Sequence, residues 1–282
     1  MLRLLFLLLI LALPASAETI RLGDRSYRID LPPRPQGAPL ILALHGGGGS
    51  ADQFARASGL ARPANRMGYA VIFPEGTGRA ATWNGGYCCG RAARAGVDDM
   101  AFLDAVIADA TRRFGLDPDR VYLTGMSNGA IMAETYAAKR ATRIRAVAGV
   151  AGTLDTRRNR VTAPVPLLHI HGTADPMVPY AGGQGDTSLT RTDFASVASV
   201  EAAFLAPFPM LSRSERVIDP AADGMRVIER NYSDGRGRVQ LRILTVEGGG
   251  HAWPGSRRAA RQGGTQDIDA TAEVLRFFAD HP

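Results

Sequence analysis

The sequence predicts an α/β fold: a mostly parallel, twisted sheet with helices on both faces, formed by a single domain. Strand-like apolar runs alternate with helical runs, and no internal repeat, heptad run or low-complexity linker interrupts them. Strands that alternate with helices form a parallel sheet covered on both faces. The chain has 282 residues, 45% of them in the AVILMFWYC set, which is enough for one large core.

Each predicted element has a local reason. Runs of apolar, β-branched and aromatic residues predict strands over residues 19–22, 26–31, 40–44, 69–73, 121–124, 144–150, 165–171 and 239–246. Capping residues and apolar spacing near 3.6 residues predict helices after residue 50 and over 60–67, 98–114, 128–140, 199–205 and 267–279. The loosely patterned stretch 176–224 is expected to be an insertion over a site.

The first 17 residues have the pattern of a secretory signal peptide. Arg3 precedes the apolar run 4–13, and residues 15–17 form an A-x-A cleavage pattern. The apolar run is too short for a bilayer, which needs about 20 apolar residues. We therefore expect residues 1–17 to be removed. Residues 18–282 should then form an exported domain without a membrane span, either extracellular or periplasmic.

The charge pattern argues against nucleic acid as a partner. The formal net charge is +6, but Lys139 is the only lysine among 33 basic residues, and the arginines are spread along the chain. No run of like charge forms a basic patch. The sequence also lacks a phosphate loop and a dinucleotide fingerprint. The oligomeric state is left open.

Histidines and cysteines are few. His169 and His171 lie two apart on a predicted strand, but no third ligand follows at a convincing spacing, so we expect buried, hydrogen-bonded histidines and no metal. Cys88 and Cys89 are neighbours and the only cysteines. A vicinal disulfide would stiffen a turn. Two free thiols are the alternative, because the peptide link holds the Cα atoms about 3.8 Å apart, below the usual bridge range.

Residues 121–129 predict a strand, a sharp turn and a helix start around Ser127. The pattern G-x-S-x-G in that setting is a nucleophile elbow, whose turn is too tight for side chains two residues before and after the serine. A base and a carboxylate should follow at later strand ends, in the order Ser, Asp, His. Asp175 and His251 fit. Read alone, Asp175 also fits an ordinary turn. Together the three predict a nucleophile, an orienting acid and a general base.

The glycine run 46–49 is expected to supply part of an oxyanion hole. Acyl transfer develops negative charge on an oxygen, which backbone N–H groups must already face. Asn128 follows the nucleophile and should supply one donor, and Gly47 the other, with Gly48 as the next choice. His45, which opens the run, should brace it through a backbone hydrogen bond.

Three aromatic residues are candidates for the wall of a substrate pocket. Trp83 and Trp253 lie in predicted loops outside any apolar pattern, and Tyr87 adjoins the cysteine pair. Aromatic side chains fill cores by default, but ligand pockets are also largely apolar. We expect these three to line the pocket. His281, near the chain end, is expected to be solvated.

These blocks together resemble a known family. The residues that carry the resemblance are LHGG (44–47), WNGGYCCG (83–90), VDD (97–99), GMSNG (125–129), HGTAD (171–175) and GGHAWPG (249–255). They are similar to secreted esterases of the polyhydroxybutyrate depolymerase and feruloyl or acetylxylan esterase group, over residues 19–282. The resemblance implies an α/β-hydrolase fold, serine carboxylesterase activity and no cofactor. It matches Ser127, Asp175 and His251 to the family's triad and Gly47 to its first oxyanion donor.

The chain departs from that family in two ways. Cysteines that many relatives carry after Leu205 are absent. The sequence ends at Pro282, directly after the last predicted helix, without the linker and binding module that depolymerases of solid polymer commonly add. We therefore expect a small or oligomeric ester as substrate rather than crystalline polyester.

Other functions share these residues. A serine peptidase or an acyltransferase would use the same triad, and product analysis with ester, amide and alcohol acceptors would separate them. A non-catalytic binding protein on the same scaffold is a different class. It has no need of an intact nucleophile, base and acid, and a fluorophosphonate probe would distinguish it.

Overall fold

The computed structural model describes residues 17–188 and 190–282. Residues 1–16, nearly the whole predicted signal peptide, lie outside the described residues. Ten strands in the described ranges form one sheet. They are β1 (Glu18–Leu22), β2 (Arg25–Asp30), β3 (Leu40–Leu44), β4 (Ala70–Pro74), β5 (Val121–Met126), β6 (Ala146–Val150), β7 (Leu167–Gly172), β8 (Ser212–Ile218), β9 (Arg226–Ser233) and β10 (Val239–Glu247).

The described residues form seven α-helices, four of which begin after a side chain that caps their first turn. They are α1 (Ala51–Ser58), α2 (Ala61–Arg66), α3 (Gly90–Arg94), α4 (Asp99–Phe114), α5 (Asn128–Lys139), α6 (Val197–Leu205) and α7 (Ala270–Ala279). The side chain of Asp98 accepts a hydrogen bond from Ala101 N–H at the start of α4, and Gly115 ends it with φ 65°. None of the helices within residues 17–188 and 190–282 combines the length and hydropathy of a membrane span.

The strand order brings four loops together at the carboxyl-terminal end of the parallel strands. The order is β1-β2-β4-β3-β5-β6-β7-β10-β9-β8. The strands from β4 to β10 in this order are parallel to one another, and the outer pairs are antiparallel. The carboxyl ends of β3, β5, β7 and β10 therefore meet, which is where open α/β sheets bind ligands. The loops that follow these strands carry Gly47, Ser127, Asp175 and His251.

The core has two layers, one on each face of the sheet. In β3 the side chains of Leu40, Leu42 and Leu44 pack with α4, α5 and α6, whereas Ile41 and Ala43 pack with α1, α2 and α7. Alternate residues of a strand point to opposite faces, so a strand covered on both sides is apolar throughout. The parallel sheet with helices on both faces confirms the predicted fold class.

Some elements differ from the expectations. The strands β8 and β9 and the short helix α3 are additional. The stretch 176–224 holds the helix predicted near residues 199–205, as α6, and also the strand β8, which was not predicted. The expectation that His281 is solvated is wrong. Its side chain is buried, with Nδ1 2.8 Å from the carbonyl oxygen of Phe277, and its own carbonyl accepts a hydrogen bond from the Tyr122 hydroxyl.

Candidate active site

Ser127 lies at a sharp turn between β5 and α5. Its backbone has φ 57° and ψ −125°, a left-handed conformation that L-residues other than glycine rarely adopt. The N–H of Ser127 donates to the carbonyl of Val150 at 2.8 Å, and its carbonyl accepts from the N–H of Ile131 at 3.0 Å. Hydrogen bonds on both sides thus hold the strained residue in place, with its side chain at the edge of the sheet.

Two glycines make this turn possible. A Cβ on Gly125 would lie 2.5 Å from the carbonyl carbon of Gly129. A Cβ on Gly129 would overlap the carbonyl oxygen of Leu44 in the neighbouring strand β3. The pattern G-x-S-x-G is therefore a packing requirement, because helix α5 crosses directly over the strand ends.

Replacing Gly129 with alanine is expected to destabilise the protein by about 3 kcal/mol or more, because the added methyl group meets immobile backbone. Thermal or urea unfolding measures the change. Gly235→Ala is the matched control. A Cβ there meets nothing within 4 Å, so the free energy of unfolding should change by less than about 1 kcal/mol. Equal stability of the two variants would contradict this account of the turn.

Asp175 and His251 are hydrogen-bonded. His251 Nδ1 lies 2.7 Å from Asp175 Oδ2, and Asp175 Oδ1 accepts from the N–H groups of Met177 and Val178 at 2.8 and 2.9 Å. Burial alone would raise the pKa of Asp175. Hydrogen bonds from His171, His251 and Val178 N–H outweigh it and hold the pKa below its ordinary value. Asp175 is therefore ionised and fixed, and it orients the imidazole of His251.

Ser127 and His251 line one cavity of about 280 Å³, together with Met177 and Trp253. Among the described residues, no hydrogen bond joins the Ser127 hydroxyl to His251. Catalytic hydrogen bonds are often long in unliganded enzymes and tighten when substrate binds. The structure thus brings the three predicted residues to one place and forms the acid–base contact.

The backbone donors of the predicted oxyanion hole lie beside Ser127. A Cβ on Gly46 would be 3.4 Å from Ser127 Cβ, and one on Gly47 would be 3.7 Å from Asn128 Cβ. The N–H of Gly48 donates to the carbonyl of Ala81 at 2.8 Å. No hydrogen bond among the described residues uses the N–H of Gly47 or Asn128. Of the two glycines considered, Gly47 is therefore the one whose donor is free for an oxyanion.

Trp83 and the His45 side chain hold this loop through hydrogen bonds. The side-chain amide of Asn128 accepts from Trp83 N–H at 2.7 Å and donates to the Trp83 carbonyl at 3.0 Å. The indole N–H of Trp83 donates to the carbonyl of His45 at 2.9 Å. His45 Nε2 accepts from Gly76 N–H, so its Nδ1 carries the proton and donates to the Gly46 carbonyl at 2.8 Å. The predicted bracing role of His45 is confirmed.

The three predicted pocket aromatics lie in different places. Trp253 lines the cavity and packs edge-on against Phe54. Trp83 is fully buried beneath the glycine loop and does not line the cavity. The Tyr87 hydroxyl donates to the Thr153 carbonyl at 2.6 Å, and its ring lines a different surface cavity. Trp83 and Tyr87 therefore stabilise neighbouring loops, because their polar side-chain atoms form hydrogen bonds with backbone carbonyls.

Cys88 and Cys89 are joined in a vicinal disulfide. Cys88 is buried against Ile131, Val178 and Phe194, next to Tyr87. Thiol titration of the denatured, unreduced protein is expected to find no free thiol, and two after reduction. Two free thiols before reduction would contradict the pairing.

The chain has the architecture of the α/β-hydrolases. It superposes on an acetyl xylan esterase from Aspergillus awamori with a TM-score of 0.63 at 15% identity, covering 94% of this chain and 99% of that one. Residues 25–182 match the family described as Esterase PHB depolymerase, and the chain belongs to that family.

Relatives in sequence carry similar names. A protein designated esterase NocK, from Nocardia uniformis subsp. tsuyamanensis, is 33% identical over 90% of this chain and 78% of its own length. Feruloyl esterase B of Piromyces equi is 28% identical over 76% of this chain, but this chain spans only 40% of it. The resemblance inferred from the sequence blocks is confirmed, and the protein is assigned to the esterases.

Proposed function

We propose that this protein is a secreted serine carboxylesterase. Ser127 attacks the carbonyl carbon of an ester, and His251 takes its hydroxyl proton. The carbonyl oxygen becomes negatively charged and accepts hydrogen bonds from the N–H groups of Gly47 and Asn128. His251 then gives the proton to the leaving alcohol, and Asp175 stabilises the imidazolium throughout. A water molecule, activated by His251, releases the acid from Ser127.

One observation carries this proposal: the 2.7 Å contact between His251 and Asp175 is at the rim of the cavity that holds the strained Ser127. A structural histidine would not need an ionised, buried carboxylate beside a serine in a left-handed turn. The cavity of about 280 Å³ favours a small acyl or alcohol group at the reacting carbon.

A fluorophosphonate probe tests the nucleophile. It should add covalently to the protein, and peptide mass spectrometry should place the adduct on Ser127. The variant Ser127→Ala should remain unlabelled. No adduct on the folded wild-type protein would favour a binding protein instead.

A substrate panel tests the reaction. Short-chain, aromatic and hydroxyalkanoate esters should be hydrolysed, whereas amides should not. Added alcohols should not divert the acyl group into new esters. Preferential amide cleavage would identify a peptidase, and preferential transfer to the alcohol an acyltransferase.

Secretion rests on the N-terminal pattern alone and needs its own test. The full-length chain, expressed in a bacterial host, should be recovered from the periplasm or medium with Glu18 as its first residue. Recovery in the cytoplasm with Met1 intact would contradict export.

A further inference from the structure

Three buried titratable side chains lie behind Asp175 and have no part in the mechanism above. Glu134 of α5 and His169 and His171 of β7 are each at most 1% exposed. Glu134 Oε1 is 2.8 Å from His169 Nδ1, and His169 Nε2 is 3.2 Å from His171 Nδ1. His171 Nε2 is 2.8 Å from the Val178 carbonyl oxygen and 3.5 Å from Asp175 Oδ2. The chain of contacts ends at the carboxylate that holds His251.

The number of protons shared by these three side chains follows from their contacts. A carbonyl oxygen only accepts, so His171 Nε2 carries a proton toward Val178. The contacts between Glu134 and His169 and between the two histidines need one proton each. A carboxylate and two neutral imidazoles hold two protons, but three contacts need three. The extra proton makes the net charge of the three side chains zero, as burial favours.

Glu134, at the end of this series of contacts farthest from Asp175, is fixed by contacts of its own. The second carboxylate oxygen of Glu134 accepts from Leu154 N–H at 2.8 Å. Gly149 on strand β6 leaves the space, because a Cβ at that position would overlap the Glu134 carboxylate. Glu134 is thus fixed against His169 by both hydrogen bonding and packing.

His171, at the end of the series nearest Asp175, holds the turn that carries Asp175. Val178 donates its N–H to Asp175 Oδ1, and its carbonyl accepts from His171. If His171 carried its proton on Nδ1 instead, the Nε2 lone pair would face both the Val178 carbonyl and the Asp175 carboxylate. Those groups would repel it, and the turn would loosen.

We propose that Glu134 and His169 are positioning residues. They hold His171 in the form protonated at Nε2, and His171 in turn holds Asp175 against His251. The proposal rests on the role given to Asp175 in the proposed function.

Two substitutions of Glu134 separate this role from simple packing. In Glu134→Gln the amide can donate to His169 Nδ1 while its oxygen accepts from Leu154 N–H, so every contact survives with two neutral imidazoles. Its kcat should stay within about threefold of the wild type. Glu134→Leu keeps the volume but not the contact. Its kcat should fall by about 10-fold or more with little change in KM.

The decisive readout is the tautomer of His171, observed by ¹⁵N NMR of the imidazoles. The wild type and Glu134→Gln should be protonated at Nε2, and Glu134→Leu should lose that preference. Protonation of wild-type His171 at Nδ1 alone would overturn the proposal, even if Glu134→Leu fails to fold. The proposal would also be overturned if Glu134→Leu kept the wild-type tautomer of His171 or the wild-type kcat. The NMR result does not depend on catalysis, so it stays interpretable if Ser127 proves not to be the nucleophile.

A different observation concerns a groove that continues from the Ser127 cavity. A second cavity of about 600 Å³ adjoins the first. The residues that line both are Gln53, Ala57, Ser58, Trp253, Ser256 and Arg258. Arg56 and Arg257 line the second cavity only. An extended substrate could therefore occupy both, with its ester at Ser127.

The groove is positively charged. Arg56, Arg257 and Arg258 are exposed, and none of them joins an ion pair with another described residue. The one carboxylate in the lining is Asp269, whose Oδ1 caps helix α7 by accepting from Ala272 N–H. A cleft lined by one sign of charge concentrates ligands of the opposite sign. Guanidinium groups pair well with carboxylates, which match their planar geometry.

We infer that this groove, which we call the arginine groove, binds a carboxylate on the non-reacting part of the ester. The substrate class is then an oligomeric ester that carries a free acid group. The inference depends on the proposed function, because it places the ester of that substrate at Ser127.

Matched esters test the groove. A nitrophenyl ester of a dicarboxylic acid should have a kcat/KM about 10-fold higher at low salt than its neutral methyl-ester analogue, and 0.5 M NaCl should reduce the difference. The double variant Arg56→Gln/Arg257→Gln, at residues that line the second cavity only, should lose the preference but keep the neutral ester activity. Arg236→Gln, in the turn between β9 and β10, is the control.

Equal kcat/KM for the two esters at low salt would overturn the inference. So would a double variant that lowers both activities equally. Hydrolysis of the neutral ester reports on the proposed function separately, so the two failures are distinguishable.

Discussion

Replacing Ser127 with alanine is expected to lower kcat for ester hydrolysis by about 10⁴-fold or more. The variant lacks the hydroxyl that forms the acyl-enzyme in the proposed mechanism, while the Asp175–His251 pair and the backbone donors remain. Residual hydrolysis should come only from binding and oxyanion stabilisation. Steady-state kinetics with a chromogenic ester measures the loss.

The control for this variant is Ser214→Ala. Ser214 is an exposed residue of strand β8, the last strand in the sheet order, and it does not line the cavity. Its removal should leave kcat within about threefold of the wild type. Turnover of Ser127→Ala at the wild-type rate, with no contaminating esterase, would end the proposed mechanism.

Replacing Asp175 with asparagine is expected to lower kcat by about 10⁴-fold, the size of effect seen when a triad histidine is held in the wrong tautomer. Asp175 Oδ1 accepts two backbone hydrogen bonds from Met177 and Val178, so the amide oxygen should take its place. The amide nitrogen then faces His251 Nδ1 and donates to it. The imidazole is left with its proton on Nε2, where it cannot accept the proton of Ser127.

Non-additivity checks that Asp175 acts through Ser127. The double variant Ser127→Ala/Asp175→Asn should be about as active as Ser127→Ala alone, because residues of one catalytic unit do not contribute independently. A further large loss in the double variant would show that Asp175 does something else. Circular dichroism and melting temperature of each variant exclude unfolding as the cause.

Parts of the fold and site with a strong local signal were predictable. Strand β3 is apolar at every position because both of its faces are covered. The turn at Ser127 was predictable because only glycine fits at two flanking positions. Parallel strands bring their carboxyl ends together, so the order of Ser127, Asp175 and His251 at strand ends implied their proximity.

The strands β8 and β9 were missed because their sequences carry little apolar pattern. Six of the seven residues of β8 are exposed, so nothing distinguishes it from a polar loop. In β9 the carboxylate of Glu229 is buried and pairs with Arg216 and Arg242. A charged residue at an inward position breaks the apolar alternation. Both strands form because β10 offers an edge with which β9 can pair.

Other features depend on contacts between distant segments. The choice between Gly47 and Gly48 is decided by the Ala81 carbonyl, which occupies the N–H of Gly48. The sequence indicated that His169 and His171 are buried, and the structure confirms it. The sequence did not indicate which side chain these histidines contact. A lone Glu134 among the apolar residues of α5 was the available signal.

The segment 81–83 contacts both sides of the proposed oxyanion hole. The Ala81 carbonyl accepts a hydrogen bond from Gly48 N–H in the glycine loop. The backbone of Trp83 forms two hydrogen bonds with the side chain of Asn128. The spacing between the two donors is therefore set by a stretch of chain that supplies neither of them. Relatives of this protein that differ only in the length of that stretch should differ in turnover while retaining identical reacting groups.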